Sequence, residues 1–268
     1  MTGLITDGPV LLDLDDDGVA HLRLNSPQSS NAVDVDNLKL LHEAVLRCHA
    51  EPDVRVVLLT GEGRNFCTGG DVKSFASKGE DLPQHLRSAT AWLQIATGAM
   101  IQLKAPLIAA VQGFAAGGAG FGFVCAADLV IAADTAKFFS GAVRVGMAPD
   151  GGTTVTLAQI VGLRKALELL LTNPTLTAAE AYELGIVNRV VPEADLAEEA
   201  LALARTIAAM PPLAVSATKR LVWGGVGASV DERFAEEARV VSELSGTSDS
   251  REGLAAVIER RTPTFTGR

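Results

Sequence analysis

At 268 residues, 48% hydrophobic and 21% charged, the chain has an ordinary globular composition, with room for one large domain or two unequal ones. A net charge of −9 and a pI near 5.0 argue against nucleic acid as the main partner, although a phosphate-rich ligand needs only local lysines, arginines or helix N-termini. The three cysteines (Cys48, Cys67, Cys125) and four histidines (His21, His42, His49, His85) show no metal-ligand spacing; with no basic-then-apolar leader and no apolar run of membrane-spanning length, a cytoplasmic protein with reduced thiols, no metal and no membrane partner is expected.

In chain order, Val10–Leu14 and Val19–Leu24 read as a hairpin around Asp15–Gly18, and Asp34–Ala50 carries Leu38, Leu41, Val45 and Leu46 at helical spacing. Val54–Thr60, Pro106–Val111 and Leu129–Ala132 are short apolar strands, the first two followed by glycine-rich turns. This alternation predicts an α/β architecture with buried strands. Thr177 and Glu180 form a capping box whose helix stops near Gly185, and Ile186–Val191 is a strand ended by Pro192. Helices are then expected over 193–209, 212–223, 229–245 and 249–261, broken at Met210-Pro-Pro212, Trp223-Gly-Gly225 and Gly246. The expected organisation is an α/β core over 1–195 and a helical subdomain over 196–268.

Two strand–turn–helix units carry the chemistry. The first runs from Val54–Thr60 through Arg64-Asn-Phe-Cys-Thr-Gly-Gly-Asp71, and the second from Leu107–Val111 through Ala115-Ala-Gly-Gly-Ala-Gly120. Glycines let backbone approach a ligand closely, and the helix that follows offers unpaired N–H groups and a partial positive charge. Two such N–H groups converging on one oxygen make an oxyanion hole. Gly118, Gly120 and Gly122 alternate, which is not the dinucleotide fingerprint, and neither a P-loop nor a G-x-S-x-G elbow is present. Glycine content alone fits tight turns and helix packing equally well.

Together these segments resemble the crotonase (enoyl-CoA hydratase/isomerase) superfamily. Asn25-Ser-Pro27 with Asn31-Ala32 is similar to its N-terminal loop, Phe66-Cys-Thr-Gly-Gly-Asp71 to its F-x-A-G-x-D segment, and Pro106–Gly118 to its P-x-I-A-A-x-x-G-x-A-x-G-G segment. Thr177–Pro192 and Arg261–Arg268 continue the likeness to the C-terminus. The resemblance implies a spiral of ββα units with a C-terminal helical trimerisation subdomain, and homotrimers or dimers of trimers. It implies acyl-CoA or enoyl-CoA thioesters as ligands, as in fatty acid metabolism, with no cofactor beyond the coenzyme A of the substrate. By the same resemblance Gly70 and Gly118 are the oxyanion donors. Ser29, Ser30, Ala32, Thr68 and Lys73 lie along the coenzyme A path, and Arg260 reaches a neighbouring subunit's ligand. The family's lysine or arginine in the N-terminal loop is replaced by Gln28-Ser-Ser30.

A hydratase of the family, a lyase, uses two glutamates, and the corresponding positions here are Phe121 and Ala142. Neither side chain moves a proton; Phe121 is instead a candidate lid over the acyl chain, and Ala142 a candidate wall. Pro149-Asp150-Gly-Gly152 resembles the isomerase branch, where an acidic residue after the proline is the base. Without that context it is a strong turn signal. An apolar neighbourhood raises the Asp150 pKa, whereas loss of two neighbouring carboxylates lowers it, and the net sign is open in the sequence. The expectation is an enoyl-CoA isomerase with Asp150 as base. The alternatives are a hydratase with non-standard groups and a non-catalytic acyl-CoA-binding protein.

Overall fold

The computed structural model describes residues 1–268. Its larger sheet has seven strands in the order β1-β2-β3-β4-β5-β7-β10. They are β1 (Thr2–Ile5), β2 (Val10–Leu14), β3 (Val19–Leu24), β4 (Val56–Gly61), β5 (Leu107–Val111), β7 (Leu129–Ala133) and β10 (Arg189–Val191). The first three are antiparallel neighbours, and from β3 onward every pairing is parallel. The parallel strands carry near-continuous apolar runs because both faces are covered; all five residues of β5 are buried. A second sheet of three strands joins β6 (Phe114–Ala116), β8 (Lys137–Phe139) and β9 (Leu176–Thr177).

Most expected elements are present with shifted ends. The hairpin pairs Leu14 with Ala20 and Val10 with Leu24. Helix α1 (Val35–Ala50) is capped by Asp34, whose carboxylate accepts the Asn37 N–H at 2.8 Å. The Thr177–Glu180 capping box opens α7 (Ala178–Glu183). β10 is shorter than its apolar run: Ile186 and Val187 are buried but unpaired in the sheet, and the chain enters the strand only after Asn188 has locked to Val130 through both its side chain and its N–H.

Three helices have no counterpart among the expected elements: α3 (Leu82–Ile101) and the pair α5 (Thr153–Val161) and α6 (Leu163–Thr172). The buried stripe of α3 consists of Ala89, Leu93, Ala96, Thr97 and Met100, so small and polar residues blur its apolar period. Between α5 and α6 the chain turns at Gly162, in the left-handed region at φ 80°.

The domain boundary expected at 195/196 needs correction. Helix α8 (Leu196–Ala208) buries Leu196, Ala200, Leu203, Ala204 and Ala208 in the same core cluster as β4, β5 and β7. It belongs to the α/β core, and the separate helical unit begins after Met210-Pro-Pro212, where the chain bends by 105° into α9 (Pro212–Gly225). Trp223-Gly-Gly225, expected to break a helix, instead forms the last turn of α9; the break falls at Val226–Ser229, before α10 (Val230–Ser245) and α11 (Ser248–Glu259). The Lys219 ammonium, buried on α9, pairs with Asp128 at 2.7 Å and donates to the carbonyls of Met100 and Ala105. Trp223 Nε1 donates to the other Asp128 oxygen at 2.7 Å. No single helix is long and apolar enough to cross a membrane.

Candidate active site

Both glycine turns follow the C-terminal ends of parallel strands, the end at which open α/β sheets bind ligands. The first turn leaves β4 and runs to α2 (Val72–Ser77), which Asp71 caps by accepting the Lys73 N–H at 2.9 Å and the Ser74 N–H at 3.2 Å. The second leaves β5, passes through β6 and enters α4 (Gly117–Ala126). The turns are laced together: the Cys67 N–H donates to the Phe114 carbonyl at 3.1 Å, and the Ala116 N–H to the Cys67 carbonyl at 2.9 Å. At their crossing Gly69 (φ 90°) faces Gly117 (φ 68°), and a Cβ on Gly117 would lie 3.0 Å from the Gly69 Cα and 3.8 Å from the Gly70 nitrogen. Any side chain there would force the two turns apart. This contact brings the Gly70 N–H beside the first turn of α4, where Gly118 has no side-chain cap and, as a first-turn residue, no intrahelical acceptor.

Asp150 lies directly on this arrangement. A Cβ built on Gly118 would overlap Asp150 Oδ1 and stand 3.1 Å from Oδ2, so the carboxyl group abuts the Gly118 α-carbon. It is held there by its own turn: the Thr153 N–H returns to the Asp150 carbonyl at 3.1 Å, and the Gly152 carbonyl accepts the Thr156 hydroxyl at 3.2 Å. No lysine, arginine or histidine pairs with the carboxylate. Burial pushes the Asp150 carboxyl above its ordinary value, against a smaller opposing pull from its own backbone N–H. The sign left open by the sequence is therefore upward, and desolvation is its cause.

The alternation of Gly118, Gly120 and Gly122 follows from this packing. Gly118 and Gly122 turn toward the Asp150 loop, with the Gly151 carbonyl 3.1 Å from a Cβ on Gly122, while a Cβ on Gly120 would overlap the Cys67 carbonyl. A cavity of about 660 Å³ lies at the opposite end of the sheet beside Asp15–Gly18, Asp53, Arg55 and Arg205. It presents no pair of glycine N–H groups at a helix start, and the chemistry of the glycine turns locates the site instead.

Comparison with known proteins decides the family. Residues 15–268 match the family model described as enoyl-CoA hydratase/isomerase. The chain belongs to the enoyl-CoA hydratase/isomerase family. It is 36% identical to a probable enoyl-CoA hydratase of Mycobacterium tuberculosis over 253 residues, 94% of this chain and 96% of that protein. It is 33% identical to a 4-chlorobenzoyl coenzyme A dehalogenase of an Arthrobacter species over 240 residues, 89% of this chain and 87% of the relative. A crystal structure of an enoyl-CoA hydratase from Bacillus anthracis superposes with a TM-score of 0.92 at 31% identity, covering 97% of this chain and all of that one. The protein is thus an acyl-CoA-processing enzyme with the crotonase fold.

Against that family pattern, Gly70, Gly118 and Asp150 come together, while the remaining expected residues spread over a wider surface. Ser30 and Thr68 join the N-terminal loop to the first turn, since the Ser30 carbonyl accepts both the N–H and the hydroxyl of Thr68 at 3.2 Å. Ser29 is exposed, and its carbonyl accepts the Ala32 N–H at 3.1 Å. Asn31, read only as part of a motif, proves to be the organiser of this loop. Buried in the left-handed region at φ 54°, it accepts the Ser26 N–H and donates to the carbonyls of Glu62 and Asn65. Lys73 is exposed and forms no ion pair, and Arg260 is exposed at the end of α11. Phe121 is only 2% exposed and packs in the hydrophobic core. Ala142, half-buried, opens a single 3₁₀ turn over Ala142–Val145. The three cysteines are free and buried, their thiols pushed up to about 12 by desolvation, which makes nucleophilic use implausible.

Proposed function

We propose that the enzyme isomerises 3-enoyl-CoA to 2-enoyl-CoA thioesters by a one-base proton shift. The observation that carries this reading is the single unpaired carboxylate of Asp150, set against the Gly118 α-carbon and raised by burial. In the reaction the ionised Asp150 removes a proton from C2. Negative charge then develops on the thioester oxygen, where the N–H groups of Gly70 and Gly118 receive it, and the protonated Asp150 delivers the proton to C4. The dienolate is planar, so one carboxyl group serves both carbons. A site built for two-carboxylate water addition would need acidic groups at 121 and 142, where the chain has phenylalanine and alanine.

The names of the relatives favour hydration as the second reading. With one carboxylate, water addition requires Asp150 to activate the water and then return its proton to C2. A paired assay separates the two: conversion of 3-enoyl-CoA to 2-enoyl-CoA, and hydration of 2-enoyl-CoA, for the wild type and Asp150→Asn. Isomerisation lost in the variant supports the first reading, and hydration without isomerisation overturns it. The loss expected from removing a positioned base is about 10²- to 10⁴-fold.

We also propose that the working enzyme is a homotrimer or a dimer of trimers. The support is a run of exposed apolar side chains on the C-terminal helices: Val222, Phe234, Val241, Leu254, Val257 and Ile258. That density on three helices exceeds the scattered apolar exposure of a monomer.

A further inference from the structure

The two oxyanion glycines are covered differently. Gly118 faces the Asp150 carboxyl group, whereas Gly70 faces an aromatic ring. A Cβ built on Gly70 would overlap Phe75 Cζ and lie 2.7 Å from Cε2 and 3.4 Å from Cε1, so the tip of the ring rests on the Gly70 α-carbon. Phe75 is half-buried on α2, a six-residue helix with no fully buried side chain. Behind it stands His85 of α3, edge-on, with ring centroids 5.9 Å apart and planes at 64°.

We propose that Phe75 is a specificity-determining residue that selects acyl groups which are flat and conjugated next to the thioester, aryl groups above all, over saturated ones. The inference rests on the reading of Gly70 and Gly118 as the oxyanion pair. A thioester oxygen bound between those N–H groups places the acyl carbons beside the Gly70 α-carbon, where the ring now sits. His85 backs the ring and α2 is tethered by Asp71, so the ring yields by turning about its own side-chain bonds and ends alongside the acyl group. A flat π-system fits that space in offset contact and gains the quadrupole attraction of an aromatic pair. A saturated ring of the same carbon count is thicker and gains dispersion only. If Phe75 serves merely to hold α2 in place, its replacement weakens all ligands alike.

The test is equilibrium binding of benzoyl-CoA and cyclohexanecarbonyl-CoA. Benzoyl-CoA holds its unsaturation in an aromatic ring with no proton on C2, and cyclohexanecarbonyl-CoA has no carbon–carbon double bond, so neither is isomerised or hydrated and the measurement is independent of what Asp150 does. Wild type is expected to bind benzoyl-CoA about three- to tenfold more tightly. Phe75→Leu should reduce that ratio to near one, and Phe75→Tyr should preserve it, with both variants melting as cooperatively as wild type. Equal affinities in the wild type, or a ratio unchanged in Phe75→Leu, overturns the proposal, as does failure of both thioesters to bind, which removes the oxyanion reading with it. A selective wild type with turnover indifferent to Asp150→Asn leaves Phe75 in place and overturns only the proton-transfer reading.

Discussion

Asp150 combines burial, the absence of a cationic partner and contact with a glycine α-carbon, and each has a measurable consequence. Its folded-state pKa lies above the ordinary carboxylate value through desolvation. Between the unfolded and folded values the native protein binds more protons than the unfolded chain. Stability is therefore gained as pH falls through the folded pKa, and the ionised form is a cost above it. Asp150→Asn should accordingly raise Tm at pH 7 while abolishing isomerisation; calorimetry and the coupled assay together check this, and a lowered Tm would contradict the assigned burial cost. In the wild type, kcat/KM should show an acid limb with an apparent pKa above the 3.8 of an unperturbed Asp. Gly118→Ala would drive a methyl group into Asp150 Oδ1. The expected result is a loss of turnover of about a hundredfold or more, the scale of a damaged oxyanion hole, in a protein that still folds. Asp150 was legible as a candidate because of its place after Pro149. The upward sign of its pKa was not, since that sign depends on which groups pack around it.

At the scale of single elements, the ion pair of buried Lys219 with half-buried Asp128 joins α9 to the core. Lys219 is buried at 8% exposure and also satisfies two backbone carbonyls. Desolvation lowers its pKa, and the Asp128 charge opposes that shift. Removing one partner strands the other charge, so Lys219→Met should cost about 3–5 kcal/mol in urea unfolding. Lys219→Met with Asp128→Asn should recover part of that loss, because the stranded charge is gone. Helix α7 shows local information sufficing: the capping box lies within four residues, and the sequence places the helix start correctly. Helix α3 shows the reverse, since its buried stripe of Ala89, Leu93, Ala96, Thr97 and Met100 becomes a packed face only when α1 and α4 close against it.

For the whole molecule, the exposed side chains of α10 and α11 carry the prediction. Val257 is 78% and Ile258 81% exposed. If these helices form the subunit interface, light scattering of the purified protein should give three or six times 27.9 kDa. Ile258→Glu should then shift it toward monomer. Arg260, the expected reach to a neighbour's ligand, sits two residues further on in the left-handed region at φ 56°. Activity lost in step with the dissociation of Ile258→Glu would tie that arginine to the assembled site, whereas a fully active monomer would refute the link.

By itself the sequence determined the elements whose signals are short-range and the order of motifs that places the chain in its family. The hairpin, the Thr177–Glu180 capping box, the two glycine turns and the turn bearing Asp150 all follow from residues within a few positions of one another. Only the tertiary structure decided which of these meet. The crossing of Gly69 and Gly117, separated by 48 positions, brings Gly70 beside Gly118. The same folding sets Asp150 on Gly118, seats Phe75 on Gly70 and draws α8 into the core rather than into the helical appendage. Those outcomes depend on close approach and desolvation between segments far apart in the chain, and neither leaves a local pattern to read.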